Sequence, residues 1–191
     1  MPISAAEQTA GFGAKALIRK AFELAKAPYD ETRVDALYQP FLVRYAERIA
    51  DESHLYDGVV DVLTLLKSDG WRLGICTNKP ESLAIALMAR LGVNDRFAAL
   101  LGADTLPVRK PDPRHLFETI ERIGGTPEQA VMIGDTDTDL KTARNAEIPC
   151  ILTTFGYSNI PVARLKPDVI VDRFDQIPDA LETCLRSRRR A

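Results

Sequence analysis

The chain has 191 residues, 46% hydrophobic and 27% charged, which is the make-up of an ordinary globular protein with one sizeable core and an insert, or two small domains. A net charge of −2 excludes a general attraction to nucleic acid or to acidic membranes. Cys76, Cys150 and Cys184 are odd in number and widely spaced within apolar patterns, so neither a disulfide framework nor a zinc site is indicated and a reducing compartment is expected. The first residues, Met1 to Gln8, lack a basic region followed by an apolar run, and no segment approaches the length of a membrane span. A cytoplasmic location is expected. His54 and His115 have no second His or Cys at ligand spacing and are expected on the surface.

Ala14, Leu17, Ile18, Ala21, Phe22 and Ala25 recur at helical spacing after Gly11-Phe12-Gly13, predicting an amphipathic helix that ends before Pro28. A second helical stripe runs from Val34 to Ile49 and stays in phase through Pro40, predicting two helical pieces or one kinked helix. Gly11 and Gly13 do not make a dinucleotide loop, because no strand precedes them and no third glycine follows. A polar crossing at Ser53 to Gly58 marks the expected boundary between a helical unit, residues 5–54, and a larger unit, residues 55–186. A basic tail, residues 187–191, follows.

Beyond the boundary the pattern alternates. A helix from Val59 to Leu66 leads to a strand at Trp71–Thr77, a helix from Ala84 to Leu91, a short strand at Phe97–Leu101 and a helix from Leu116 to Ile123. Then come a strand at Val131–Gly134, a helix through Leu140, Ala143 and Arg144, strands at Cys150–Thr153 and Val169–Val171, and a helix from Ile177 to Leu185. Such alternation predicts an α/β fold, a parallel sheet with helices on both faces.

Three features fall at one edge of that sheet. The apolar run Val131–Gly134 stops at Asp135, and Asp139 follows at the start of a helix. Ligands of open α/β sheets bind beyond the carboxyl ends of the strands, so an acid there faces the site and a divalent cation is its natural partner. The spacing of Asp135, Asp137 and Asp139 imitates a calcium loop, but Leu140 and Ala146 stand where such a loop needs Gly and Glu. A second strand ends in Thr77-Asn78 with Pro80 opening the next helix, where hydroxyl, amide and backbone N–H groups could hold a phosphate oxygen. Lys110 is held between restricted residues in Arg109-Lys110-Pro111-Asp112-Pro113 before another helix, placed to neutralise phosphate or pair with a carboxylate.

In that order the motifs resemble the haloacid dehalogenase superfamily, and within it the phosphoglycolate phosphatase-like branch. Thr77-Asn78-Lys79-Pro80 resembles its second motif, Arg109 to Pro113 its third, and Gly134-Asp135-Thr136-Asp137-Thr138-Asp139 its fourth. Gly11 to Ala14 resembles the branch's cap segment, and Phe155-Gly156-Tyr157 with Lys166-Pro167-Asp168 its C-terminal region. The resemblance implies a Rossmann-like core with a small α-helical cap, a Mg²⁺ cofactor and a small phosphorylated metabolite as substrate. By the same resemblance Thr77 and Asn78 bind the phosphoryl group, Lys110 neutralises it, Asp135 ligates the metal and Asp139 supports the metal's shell. Residues near Gly11 and Gly13 select the substrate, and the cap closes over it.

The family's first motif, an apolar strand ending in Asp-x-Asp, has no counterpart before Gly11. The implied enzyme is therefore expected to be catalytically impaired as written, and the first central strand is expected to be missing from the sheet. Asp172, at the end of Val169–Val171, is the one other strand-terminal acid, on a strand that the family pattern places toward the sheet edge. A groove of unpaired backbone is expected, left by an N-terminal truncation or filled by the chain's own terminus, by self-association or by a partner. The alternatives are a non-catalytic phosphate-binding or interaction module, or a truncated remnant.

Overall fold

The computed structural model describes Thr9 and residues 13–188. The expected roles of Gly11 and of the tail beyond residue 188 lie outside the described residues. The chain divides into two compact units, Met1–Ser53 and His54–Ala191.

The first unit holds α1 (Ala14–Leu24) and α2 (Glu31–Glu47). Asp30 caps α2 by accepting from the Arg33 N–H at 2.9 Å, satisfying one of the orphan donors at the helix start. The helices are tied by Lys15–Asp35 and Arg19–Glu31 ion pairs, each 2.6 Å, and by Phe22 stacked on Tyr29. The two ion pairs are exposed and contribute little; they fix which faces meet. Pro40 lies inside α2, which runs on as one helix rather than two pieces.

The second unit alternates as the sequence predicts, with one short helix, Val162–Leu165, that the sequence reading did not place: α3 (Val59–Ser68), β1 (Gly74–Cys76), α4 (Glu81–Arg90), β2 (Ala99–Leu101), α5 (Pro113–Arg122), β3 (Met132–Gly134), α6 (Asp137–Asn145), β4 (Cys150–Thr153), α7 (Val162–Leu165), β5 (Val169–Val171) and α8 (Ile177–Arg188). Every pairing is parallel, but among the described residues the strands form two sheets, β1 with β2, and β3 with β4 and β5. All four residues of β4 are buried, as its near-continuous apolar sequence requires of a strand covered on both faces. On one face α5 and α6 bring Leu116, Ile120, Leu140 and Ala143 against Met132, Cys150 and Leu152. On the other, α3 and α8 bring Val62, Leu66, Ile177 and Leu181 against Ile151 and Val171.

One expectation is corrected here. His115 is not a surface residue; it is 0% exposed. Its Nε2 lies 2.8 Å from the Gly102 carbonyl, so that nitrogen carries the proton, and Nδ1 accepts from the Cys76 thiol at 3.0 Å. The ring thus joins α5 to the end of β1 and to the loop after β2. Gly102 must be glycine for another reason: a Cβ there would run into the backbone of Glu81, the first residue of α4. Gly102→Ala is expected to cost about 1–3 kcal/mol, the usual cost of overpacking, read as a lower urea midpoint at an unchanged slope.

Candidate active site

Thr77 and Asn78 lie just past β1, Lys110 three residues before α5, Asp135 just past β3, and Asp139 in the first turn of α6. The structure joins Asn78, Lys110, Asp139 and Asp135 into one run of contacts, with Thr77 beside Asn78 in sequence and outside the run. The Asn78 side-chain amide donates to the Lys110 carbonyl at 3.1 Å. The Lys110 ammonium donates to Asp139 Oδ1 at 2.6 Å, the two side chains being 10% and 7% exposed. Asp139 Oδ2 accepts from the Asp135 N–H at 3.2 Å, from the Thr136 N–H at 3.1 Å and from the Thr136 hydroxyl at 2.7 Å. Asp135 Oδ2 in turn accepts from the Tyr157 N–H at 2.7 Å. Because these contacts gather the residues after β1 and after β3, the carboxyl ends of both strands lie on the same side.

Local sequence explains the geometry. Thr136 and Asp139 form a reciprocal capping box on α6, so the four-residue spacing from Asp135 is that of a strand end followed by a helix start. The turn is tight enough that a Cβ on Gly134 would meet the Asp139 side chain, and one on Gly156 would meet the Asp135 carboxylate. The Lys110–Pro111 peptide is cis, and Asp112 caps α5 by accepting from the Arg114 N–H at 3.0 Å.

Electrostatics separates the two acids. Burial pushes the Asp139 carboxyl up, but the Lys110 charge and hydrogen bond, with those from Thr136 and the Asp135 N–H, outweigh it and hold the group below the ordinary carboxylate value. Asp135 is shifted the other way. Burial raises it, the Tyr157 N–H offsets part of that, and the nearby Asp139 charge raises it further.

This division changes the metal reading. Both Asp139 oxygens are engaged by protein donors, so its place is that of the partner that holds Lys110, and Asp135 is the carboxylate left able to reach a cation. No group of three or more His, Cys, Asp or Glu able to hold a metal occurs among the described residues. A Mg²⁺ ion still fits the donor chemistry through Asp135, since it keeps several waters and commonly uses one or two carboxylates together with substrate phosphate.

The anion-binding expectation at Thr77 also needs revision. The Thr77 N–H pairs with the Leu101 carbonyl, the Lys79 N–H with the Thr77 hydroxyl oxygen, and the Glu81 N–H with Asp104 Oδ1 at 2.7 Å. The start of α4 is therefore capped by a carboxylate, and what Thr77 and Asn78 can still offer is a hydroxyl hydrogen and amide N–H. Asp104 and the Tyr157 N–H were missed in the sequence, since a cap supplied 23 residues downstream leaves no local pattern. Gly13 belongs to the other unit, where it precedes α1 at φ 88°.

Comparison with known proteins matches a sequence model of the haloacid dehalogenase-like hydrolases to residues 1–147. The phosphoglycolate phosphatase of Agrobacterium fabrum is 41% identical over 171 residues, covering 90% of this chain and 73% of that protein. That of Caulobacter vibrioides is also 41% identical, over 187 residues, covering 98% of this chain and 79% of the relative. The crystal structure of a predicted phosphoglycolate phosphatase from Haemophilus somnus superimposes with a TM-score of 0.86 at 29% identity, covering 94% of this chain and 82% of the other. With matching motifs gathered at one strand edge, and with sequence and fold in agreement, the chain belongs to the haloacid dehalogenase-like hydrolase family.

Proposed function

We propose that these residues form the phosphoryl-binding part of a Mg²⁺-dependent phosphatase of small phosphorylated metabolites, with phosphoglycolate as the first candidate substrate. The observation that carries the reading is the run of contacts from Asn78 through Lys110 and Asp139 to Asp135. The names of the Agrobacterium and Caulobacter relatives support the substrate class.

In this reading the Thr77 hydroxyl and the Asn78 amide bind phosphoryl oxygens. An ammonium carries three donors, and the pair with Asp139 uses one, so Lys110 can direct positive charge at the bound group while its stem stays fixed. Asp135 holds the cation. When bound, Mg²⁺ supplies charge neutralisation between that carboxylate and the phosphoryl oxygens. A half-buried carboxylate whose proton affinity is raised by burial is the environment that gains most from such a counter-charge.

Covalent phosphoryl transfer needs a further carboxylate in line with the leaving oxygen. Asp139 is saturated by its donors, Asp104 caps α4, and Asp172 follows β5, which is separated from β3 by β4. We therefore read the 191 residues as binding the phosphoryl group without turning it over. The alternative of a phosphate-binding or interaction module shares this site and differs in the partner it serves.

Inorganic phosphate with Mg²⁺ is expected to stabilise the chain, by about 2.7 kcal/mol at a hundredfold excess over Kd, while phosphate release from phosphoglycolate stays at background. Mg²⁺-dependent release that chelator abolishes would overturn the non-catalytic half of the reading, and absence of a melting shift would overturn the binding half. Lys110→Met and Asp139→Asn are each expected to cost about 3–5 kcal/mol in urea unfolding, because each strands a buried partner. The double variant should lose no more than either single one.

The pH behaviour follows from the two shifts. Asp139 is depressed in the fold, so its contribution is present above its unfolded value of 3.8 and is lost as pH falls through the lower folded value. Asp135 is raised, so its charge opposes folding at neutral pH, and that penalty is relieved as pH falls through the folded value. Asp135→Asn should therefore melt higher than the parent at pH 7 in chelator, with the gap closing in acid. Added Mg²⁺ should stabilise the parent and leave the variant unmoved.

A further inference from the structure

Three aromatic rings of the second unit meet, each from a different segment: Tyr56 precedes α3, Phe155 follows β4 and Phe174 follows β5. The Phe155 ring meets Tyr56 edge-on with 4.9 Å between centroids, and Phe174 closes the triangle at 6.2 Å from Tyr56 and 5.4 Å from Phe155. Ring pairs of this kind add to the area they bury, but Tyr56 is 42% exposed, and packing alone gives no reason for a phenol rather than a plain ring. The hydroxyl has a partner of its own. It donates to the Phe155 carbonyl at 3.0 Å, across 99 residues of sequence.

The carbonyl held in this way lies one peptide before the contact that holds Asp135. The Phe155 carbonyl belongs to the peptide entering Gly156. The Tyr157 N–H, which donates to Asp135 Oδ2 at 2.7 Å, belongs to the peptide leaving it. Only the two dihedrals of Gly156 separate those planes. Glycine is required there by close approach, since a Cβ would run into the Asp135 carboxylate, and its wide conformational freedom lets the second plane swing unless the first is fixed from outside. Before the turn, the Thr154 N–H pairs with the Val171 carbonyl at 3.0 Å; beyond it, Tyr56 supplies the fixing. Tyr56 is firmly anchored in its turn. Its carbonyl accepts from the Val59 N–H at 3.3 Å at the start of α3, whose Val59, Val62, Leu63 and Leu66 are buried.

We propose that Tyr56 is a positioning residue for Asp135: its hydroxyl fixes the Phe155 carbonyl, and through Gly156 this aims the Tyr157 N–H at one carboxylate oxygen, so that the other is presented to a cation. Tyr56 lies outside the run from Asn78 to Asp135, and its role rests on the reading of Asp135 as the cation's ligand. The effect is one of preorganisation. With Oδ2 held, the carboxylate is oriented before a cation arrives; without the tether the turn is ordered only on binding, and affinity falls by that cost. The same N–H offsets part of the burial and of the Asp139 repulsion that oppose charge on Asp135. Tyr56→Phe keeps all three rings and removes the tether, whereas a role in packing alone needs the ring and not the hydroxyl.

The test compares the intact chain with Tyr56→Phe and with Phe174→Leu, which weakens the ring cluster and keeps the hydroxyl. Exchange of the Tyr157 amide is measured in chelator, and Mg²⁺ alone is then titrated and followed by the amide resonances of Asp135 and Tyr157. Tyr157 is 52% exposed, so exchange of its N–H reports the bond to Asp135. Tyr56→Phe is expected to speed that exchange and to weaken Mg²⁺ binding by about fivefold each, the equivalent of one hydrogen bond of about 1 kcal/mol. Phe174→Leu is expected to lower the urea midpoint and to keep the parent's Mg²⁺ affinity. In an Asp135→Ala background, where the N–H has lost its acceptor, Tyr56→Phe should leave Tyr157 exchange unchanged. Parent-like exchange or parent-like Mg²⁺ affinity in Tyr56→Phe would overturn the proposal, as would an equal loss of affinity in Phe174→Leu. If the parent itself binds no Mg²⁺, the reading of Asp135 as the cation's ligand fails, and exchange at Tyr157 still decides whether Tyr56 positions Asp135.

Discussion

The buried pair of Lys110 and Asp139 is the constraint from which the rest of the site follows. It joins the segment before α5 to the first turn of α6, and those helices together cover one face of the sheets. Two buried charges of opposite sign tolerate each other only while the remaining lone pairs are satisfied. The Thr136 hydroxyl and the N–H groups of Asp135 and Thr136 meet that demand, and in doing so they fix the turn after β3. A structural requirement, the neutralising of a buried lysine, thus sets the position of the adjacent strand-end acid.

That acid, Asp135, is the one the fold leaves electrostatically unresolved. Burial raises its proton affinity, Asp139 repels its charge, and the Tyr157 N–H with the charge of Lys110 compensates in part. The arrangement opposes charge on Asp135 in isolation, so a cation placed beside it would stabilise the fold. At the same edge the other acids are engaged within the fold, Asp139 as the partner of Lys110 and Asp104 as the cap of α4.

Much of this was legible in the residues. Val131 to Gly134 is an unbroken apolar run ending in an acid, and that pattern needs a buried parallel strand with its carboxylate at the open edge. The order of Asn78, Lys110 and Asp135 in the sequence singled out residues that the structure links through one run of contacts. The roles of individual groups were less legible, because partners came from distant loops. Asp104 closes the start of α4, Gly156 makes room for Asp135, and His115 is held by Cys76 and Gly102. His115 did carry a signal, since it shares a helical face with Leu116, Thr119 and Ile120, all of them buried. The spacing that suggested two acids at a metal site also encodes a capping box between Thr136 and Asp139.

The account rests on Thr77, Asn78 and Lys110 acting as one anion site. The most direct measurement is a crystal structure of the 191-residue chain soaked with tungstate, a phosphate analogue located by its anomalous scattering. The account predicts a tungstate within hydrogen-bond distance of the Thr77 hydroxyl, the Asn78 amide and the Lys110 ammonium. An ordered tungstate bound elsewhere, with this edge empty, would contradict it.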